Sequence, residues 1–154
     1  MNHECIIIRN AYENEGAIIT RVALLSKAHW GYDRDFLEKC IPDLTVDQHY
    51  IRENQVLVAV AAGRIVGFYS IILEEDGYYL DNMFILPEYI GKGLGKKLWQ
   101  HMLEEFQGMS VKNFRLVADP FAAGFYSAMG AVQIFAKESS TFPGRKLPVM
   151  EYRF

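Results

Sequence analysis

Residues 80–108 constrain the chain more than any other stretch, because glycines at 91, 93 and 95 sit between an apolar run and a helical repeat. Leu80-Asp81-Asn82-Met83-Phe84-Ile85-Leu86 reads as a strand. Pro87 closes it, having no N–H for the ladder and barring helix from the residue before it. Leu94, Leu98, Trp99, Met102, Leu103 and Phe106 then recur at helical spacing, with Lys96, Lys97, Gln100, Glu104 and Glu105 between them and Gly108 as a stop. A glycine turn between strand and helix lets an anion reach the unpaired N–H groups and positive dipole of the helix N-terminus. Lys92, Lys96 and Lys97 add positive charge there. The same glycines also suit a tight turn with positive φ.

The spacing excludes two common phosphate loops. A P-loop needs Gly-Lys-Ser/Thr where this chain has Lys96-Lys97-Leu98. A dinucleotide fingerprint puts its third glycine three residues after the second and an acid about 20 residues further on. Here the glycine spacing is two and Arg115 occupies the later region. The segment predicts a phosphorylated ligand other than a nicotinamide or flavin dinucleotide.

At 154 residues, with 51% hydrophobic and 14% aromatic side chains, the sequence predicts one domain over residues 1–154 with a full core. A net charge of −3 argues against a general nucleic-acid binder. Cys5 and Cys40 are too few for a disulfide framework and lack metal-ligand spacing, so both read as reduced, structural thiols and no metal is expected. Met1-Asn2-His3-Glu4 carries no basic leader, and no run approaches the ~18 apolar residues of a membrane span. A soluble, cytoplasmic protein without membrane contact is the expectation.

Ile6-Ile7-Ile8 gives a first strand, and Ile18, Ile19, Val22 and Leu25 predict a helix over residues 15–28, broken by His29-Trp30-Gly31-Tyr32. Asp33 is placed to cap a short helix through Phe36, Leu37 and Cys40 that Pro42 stops. Thr45-Val46-Asp47-Gln48 reads as a capping box for further turns. Residues 56–61, 65–73 and 78–86, joined by Gly63-Arg64 and Asp76-Gly77 turns, read as an antiparallel meander. Phe114-Arg115-Leu116-Val117 makes another strand, and Asp119 is placed to cap a helix that has Pro120 at its first position and Gly130 at its end. Residues 131–137 and 147–154 make a last strand pair. The order β-α-α-β-β-β-α-β-α-β-β is an α+β domain with a mixed sheet.

With that order in place, Ile85-Leu86-Pro87 followed by Ile90-Gly91-Lys92-Gly93-Leu94-Gly95 resembles the acetyl-CoA loop of the GNAT family of N-acetyltransferases. Ala122-Ala123-Gly124-Phe125-Tyr126-Ser127-Ala128-Met129-Gly130-Ala131 resembles the family's second conserved segment, A-x-x-F-Y-x-x-x-G. The resemblance extends across nearly the whole chain. It implies the GNAT acyl-CoA N-acyltransferase fold, a central, mixed, mostly antiparallel twisted sheet of about 6–7 strands flanked by about 4 helices. It also implies acetyl-CoA as co-substrate. The family pattern Arg/Gln-x-x-Gly-x-Gly/Ala aligns with Ile90, Gly93 and Gly95, so Ile90 departs from it while the main-chain donors around the glycines are kept. By this resemblance Gly91, Lys92, Gly93, Leu94, Gly95 and Lys96 hold the pyrophosphate. Met83, Phe84 and Ile85 lie on a strand that splays from its neighbour and pairs with pantetheine. Phe125 and Asp119 complete the cofactor side, Asp119 standing where many members carry Asn.

Acetyl transfer to an amine needs a neutral nucleophile, a donor for the tetrahedral oxyanion and a proton for the departing thiolate. An amine with a pKa of ~10.4 is neutral about once in 10³ molecules at pH 7, a cost of roughly 4.6 kcal/mol. The resemblance implies the main-chain N–H of Met83 or Ile85 as oxyanion donor. It implies Tyr126 as catalytic acid, a phenol able to protonate or hydrogen-bond the thiolate. Periodicity alone favours Tyr126 as an aromatic on the inner face of a short helix, beside Phe125 and Met129; the resemblance reverses that reading. Trp30, Tyr32 and Phe142, with Arg145, are candidates for the acceptor pocket or for loops closing a core edge; His29 and Asp81 are candidates for the acceptor side and for the general base, with capping or surface solvation as the plainer reading of both. The position that holds a glutamate base in some histone-type members falls on Tyr79. Glu74, Glu75, Asp76 and Asp81 make either an acidic mouth for a cationic amine or a solvated face. The expected function is transfer of acetyl to a primary amine of a small molecule or peptide, by direct attack in a ternary complex, in a monomer or homodimer. A non-catalytic acyl-CoA-binding sensor or interaction domain is the alternative.

Overall fold

The structure, a computed structural model, describes residues 5–154; Met1 to Glu4, where the sequence shows no basic leader, lie outside the described residues. After β1 (Ile6–Asn10) come α1 (Gly16–Ala28), α2 (Arg34–Leu44) and α3 (Gln48–Glu53). The meander is β2 (Gln55–Ala61), β3 (Arg64–Glu74) and β4 (Gly77–Ile85). Then follow α4 (Leu94–Gly108), β5 (Asn113–Val117), α5 (Ala123–Ala128), β6 (Val132–Glu138) and β7 (Lys146–Arg153). The seven strands form one sheet in the order β1-β2-β3-β4-β5-β7-β6. Every pairing is antiparallel except β4 with β5, where α4 supplies the crossover that a parallel pair requires.

Both faces of the sheet's centre are covered. From α1, Ile19, Val22, Ala23 and Ser26 are buried, and Tyr50 of α3 reaches Ser70 of β3 on the same side. On the other face α4 buries Leu94, Leu98, Trp99, Met102 and Phe106, the helical stripe expected from the sequence. Phe106 stacks on Phe114 of β5 with ring centres 4.3 Å apart, and Trp99 meets Tyr152 of β7 edge-on at 5.7 Å. Each such side chain contributes on the order of 1.5–3 kcal/mol through burial.

Three local expectations are corrected. Pro42 does not stop α2; it lies inside the last turn, where its missing N–H removes little helix, and the Thr45 hydroxyl donates to the Ile41 carbonyl at 2.7 Å. Thr45 therefore serves the end of α2, and Asp47 caps α3 by accepting from the Tyr50 N–H at 2.8 Å. Asp119 does not cap α5, which starts at Ala123. Its carboxylate accepts from the Phe121 N–H at 2.9 Å and is otherwise committed to distant partners.

One irregularity shapes the site. Ser70 of β3 faces Asn82 of β4 and Ile71 faces Leu80, so Asp81 is a surplus residue that no β3 residue opposes. A bulge of this kind bends its strand and re-aims the side chains that follow. Before the bulge Tyr78 turns toward Phe106 of α4; beyond it Asn82 turns toward α3.

Candidate active site

The glycine loop is an open turn at the N-terminus of α4. Gly91 and Gly93 have φ of 78° and 84°, a left-handed conformation that only glycine takes without strain, and a Cβ on either would meet nothing within 4 Å. Both therefore face open space. Gly93 caps α4, and Lys97 closes the first turn onto the Gly93 carbonyl at 3.1 Å. No main-chain carbonyl among the described residues takes the N–H of Gly93, Leu94, Gly95 or Lys96. Gly95 serves close packing, since a Cβ there would lie 3.3 Å from the Phe125 ring. Lys92 and Lys96 are exposed beside the loop, whereas Lys97 donates to the Ile6 carbonyl at 3.1 Å. Ile90 presents an exposed apolar side chain.

From the loop, a cleft leads into the sheet. β4 pairs with β5 only through Tyr79–Arg115 and Leu80–Leu116, so beyond Leu80 the two strands part. Leu86 donates to the Val66 carbonyl at 2.8 Å. Because N–H direction alternates along a strand, Phe84 also points to β3, and the N–H groups of Met83 and Ile85 point into the split. Met83, Phe84 and Ile85 thus lie on the part of β4 that borders the split.

Tyr126 and Phe125 come from α5 and pack on Trp99, at 5.9 Å and 6.4 Å between ring centres. Tyr126 is buried, yet its hydroxyl joins no hydrogen bond among the described residues, and the one fully buried polar side-chain atom there without a partner is Trp99 Nε1. Burial, with a smaller push from the Asp119 charge, raises the Tyr126 phenol above its ordinary value. It keeps its proton throughout the neutral range.

On the sheet face shared with α1–α3, the split opens into a groove of about 690 Å³. Glu74, Glu75, Asp76 and Asp81 bring carboxylates to it, against Lys137 as its one lysine, and Ile72, Tyr79, Val117, Phe135 and Val149 supply the rest of the wall. Tyr79 donates to Asp76 at 2.7 Å. The acidic residues thus share one groove at the mouth of the split.

The other acceptor candidates gather elsewhere. Tyr32, Phe36 and Phe142 stack in series at 4.0 Å and 4.2 Å, and Trp30 stacks on Phe121 at 5.6 Å. Arg145 lies over the Phe36 ring at 4.9 Å and donates to the Tyr32 hydroxyl at 2.6 Å. Asp119 is the hub beneath them, accepting from Lys27 at 2.7 Å and from Tyr32 at 2.8 Å. Burial raises the Asp119 carboxyl, but the hydrogen bonds from Lys27 and Phe121 outweigh it and hold the group below its ordinary value. His29 is exposed and edges onto Trp30 at 5.5 Å. Trp30, Tyr32 and Phe142, with Phe121, therefore form a clasp between three loops, and of the five acceptor candidates Asp81 lines the acidic groove.

Sequence reasoning missed Tyr50, Lys27, Phe121 and Phe135. Tyr50 donates to the Asp81 carboxylate, and Lys27 reaches Asp119 across 92 residues of sequence. Neither contact leaves a local signal. Among the described residues no group of His, Cys, Asp and Glu is placed to hold a metal ion, and no helix is long and apolar enough to cross a membrane.

Comparison with known proteins agrees with this geometry. The peptidyl-lysine N-acetyltransferase YiaC of Escherichia coli is 28% identical over 127 residues, covering 80% of this chain and 82% of the relative. The PaiA N-acetyltransferase of Thermoplasma acidophilum, solved with coenzyme A, superposes with a TM-score of 0.79 at 19% identity, over 97% of this chain and 99% of that one. YncA of Salmonella typhimurium, a putative acetyltransferase solved with acetyl-CoA, gives 0.71 at 20% identity over 97% and 94%. The model of the acetyltransferase (GNAT) domain matches residues 9–153, and the chain belongs to that family.

Proposed function

We propose that the protein transfers the acetyl group of acetyl-CoA to a primary amine, the ε-amine of a lysine in a polypeptide, by direct attack in a ternary complex. The observation that carries this reading is the continuity of the glycine loop, the β4–β5 split and the acidic groove. The loop fits a diphosphate: free N–H groups at Gly93 to Lys96, no side chain at 91 or 93, and two exposed lysines. Met83, Phe84 and Ile85 line the path of the pantetheine arm, Phe125 supports the loop at Gly95, and Asp119 acts by holding the loops around it. When bound, acetyl-CoA supplies the thioester whose carbonyl carbon the amine attacks.

Main-chain N–H groups of Met83 and Ile85 are placed to receive negative charge developing on that carbonyl's oxygen. Tyr126 gives its proton or a hydrogen bond to the departing sulfur. The groove carboxylates draw in a cationic side chain, consistent with the lysine named for the relative YiaC. A covalent acyl-enzyme is disfavoured, because burial pushes the Cys40 thiol up, away from thiolate.

The test is release of thiol from acetyl-CoA with lysine-containing peptides, N-terminal-amine peptides and small amines, with acetylated products located by mass spectrometry. Saturable turnover on the lysine peptides is expected. Tight CoA binding with no turnover on any amine would make the protein an acyl-CoA sensor instead.

A further inference from the structure

We propose that Tyr50, on α3, is a positioning residue for acetyl transfer, whose hydroxyl fixes the Asp81 carboxylate at the mouth of the β4–β5 split with one oxygen turned toward the incoming amine. The inference rests on the reading just given. Tyr50 belongs to neither of the segments that mark the cofactor site, and it reaches the split from the opposite side of the sheet to α4.

The contacts form one network. The Tyr50 hydroxyl donates to Asp81 Oδ2 and lies 2.8 Å from Ser70 Oγ, and Asn82 Nδ2 reaches Ser70 Oγ at 3.0 Å and Asp81 Oδ2 at 3.3 Å. Ser70 and Asn82 are buried, 0% and 9% exposed, between the apolar neighbours Tyr69, Ile71 and Leu80. Polar groups cost free energy in such a place unless they satisfy one another, and here each finds a partner. The bonds close a ring, Tyr50–Asp81–Asn82–Ser70–Tyr50, whose one charged and exposed member, Asp81, lies in the groove.

Both bonds to Asp81 fall on Oδ2; Oδ1 is without a partner among the described residues. An exposed aspartate on an unpaired bulge would otherwise sample several rotamers, and a group that must meet a nitrogen in one geometry gains from being held. Burial and the adjacent Asp81 charge raise the Tyr50 phenol, so it stays protonated, giving its hydrogen to Asp81 while its oxygen accepts from Asn82 Nδ2 at 3.3 Å. The proton balance is then complete. Asp81 Oδ1 takes one proton from the acceptor ammonium, and the freed lone pair forms the C–N bond. The C–S bond breaks as Tyr126 protonates the sulfur; the second proton lost by the nitrogen, passed through solvent, restores Tyr126, and Asp81 returns its proton to water, so that ammonium and thioester give amide, thiol and one released proton.

A double-mutant cycle on the full chain tests the role, using a lysine-containing peptide and spermidine as acceptors. Tyr50→Phe keeps the ring and removes the hydroxyl; it is expected to lower kcat about tenfold, leaving CoA affinity by calorimetry and the Tm within error. Asp81→Asn is expected to lower kcat about 10²-fold. In the Asp81→Asn background Tyr50→Phe should cost nothing more. Ser70→Ala, which spares the Tyr50–Asp81 bond, should stay within twofold of wild type. Equal losses from Tyr50→Phe in both backgrounds, or a loss that tracks Tm, would overturn the positioning role alone. A wild-type protein inactive on both acceptors would overturn the acetyl-transfer reading, and this one with it.

Discussion

Leu80 and Leu116 are the last pair that holds β4 against β5, and the next residue along β4, Asp81, is opposed on neither side. The point at which the sheet opens is thus also the point at which its ladder is out of step. Main-chain donors that would be used up in a closed sheet are left free there, beside a groove that reaches the surface.

The loop supplies the first prediction. Gly93→Glu places a Cβ on a residue with φ of 84° and a negative charge at the N-terminus of α4. We expect a loss of about 1–2 kcal/mol in stability and at least a tenfold loss in CoA affinity, read by thermal unfolding and titration calorimetry. Unchanged affinity would mean that the loop is only a turn.

Tyr126 supplies the second. Tyr126→Phe should lower turnover on the order of 10²-fold with little change in CoA affinity, since the ring still packs on Trp99. Stopped assays at saturating acetyl-CoA, with calorimetry beside them, separate the two quantities. Wild-type turnover would remove Tyr126 from the chemistry.

Asp119 should matter first for stability. Its carboxylate has the Lys27 ammonium at 2.7 Å and Arg145 at 3.6 Å, so Asp119→Ala leaves two partly buried cations without a counter-charge. A loss of about 2–3 kcal/mol is expected in urea unfolding. Asp119→Asn, which still accepts from the Phe121 N–H and Tyr32, should recover part of it.

Alkaline pH should destabilise the fold through its buried phenols. Tyr50, Tyr69 and Tyr126 all have pKa values raised chiefly by burial, so above pH ~10 the unfolded chain loses protons that the folded chain keeps. Stability contributed by these protons is fully present below pH 10 and falls as pH rises, by about 1.4 kcal/mol per pH unit for each tyrosine. Unfolding midpoints measured from pH 8 to 11 check the sign; a flat profile above pH 10 would contradict it.

Elements set by local periodicity were legible in the sequence. The stripe on α4, the meander turns at Gly63 and Gly77, and the left-handed glycine turn before α4 all depend on residues near one another in the chain. What escaped was set by distance or context. Asp119 carries a capping residue's chemistry but is drawn away by Lys27 and Tyr32, 92 and 87 residues earlier. Pro42 reads as a stop, yet a proline this close to a helix end costs one bond rather than the helix. Nothing about Asp81 marks it as surplus, because a bulge is a property of two strands and the sequence presents them one at a time. Tyr50 follows the same rule: its partners, Ser70 and Asp81, lie 20 and 31 residues away.

The surplus residue at 81 makes β4 two half-strands of opposite parity. The hairpin half directs even-numbered side chains, Tyr78 and Leu80, to α4; the loop half directs Asn82 the other way. A variant shortened by that one residue would have a regular ladder available to it through the whole of β4. It would then trade its opening for a continuous sheet, so the split itself should survive substitutions at 81, whatever they do to turnover, but not a deletion there.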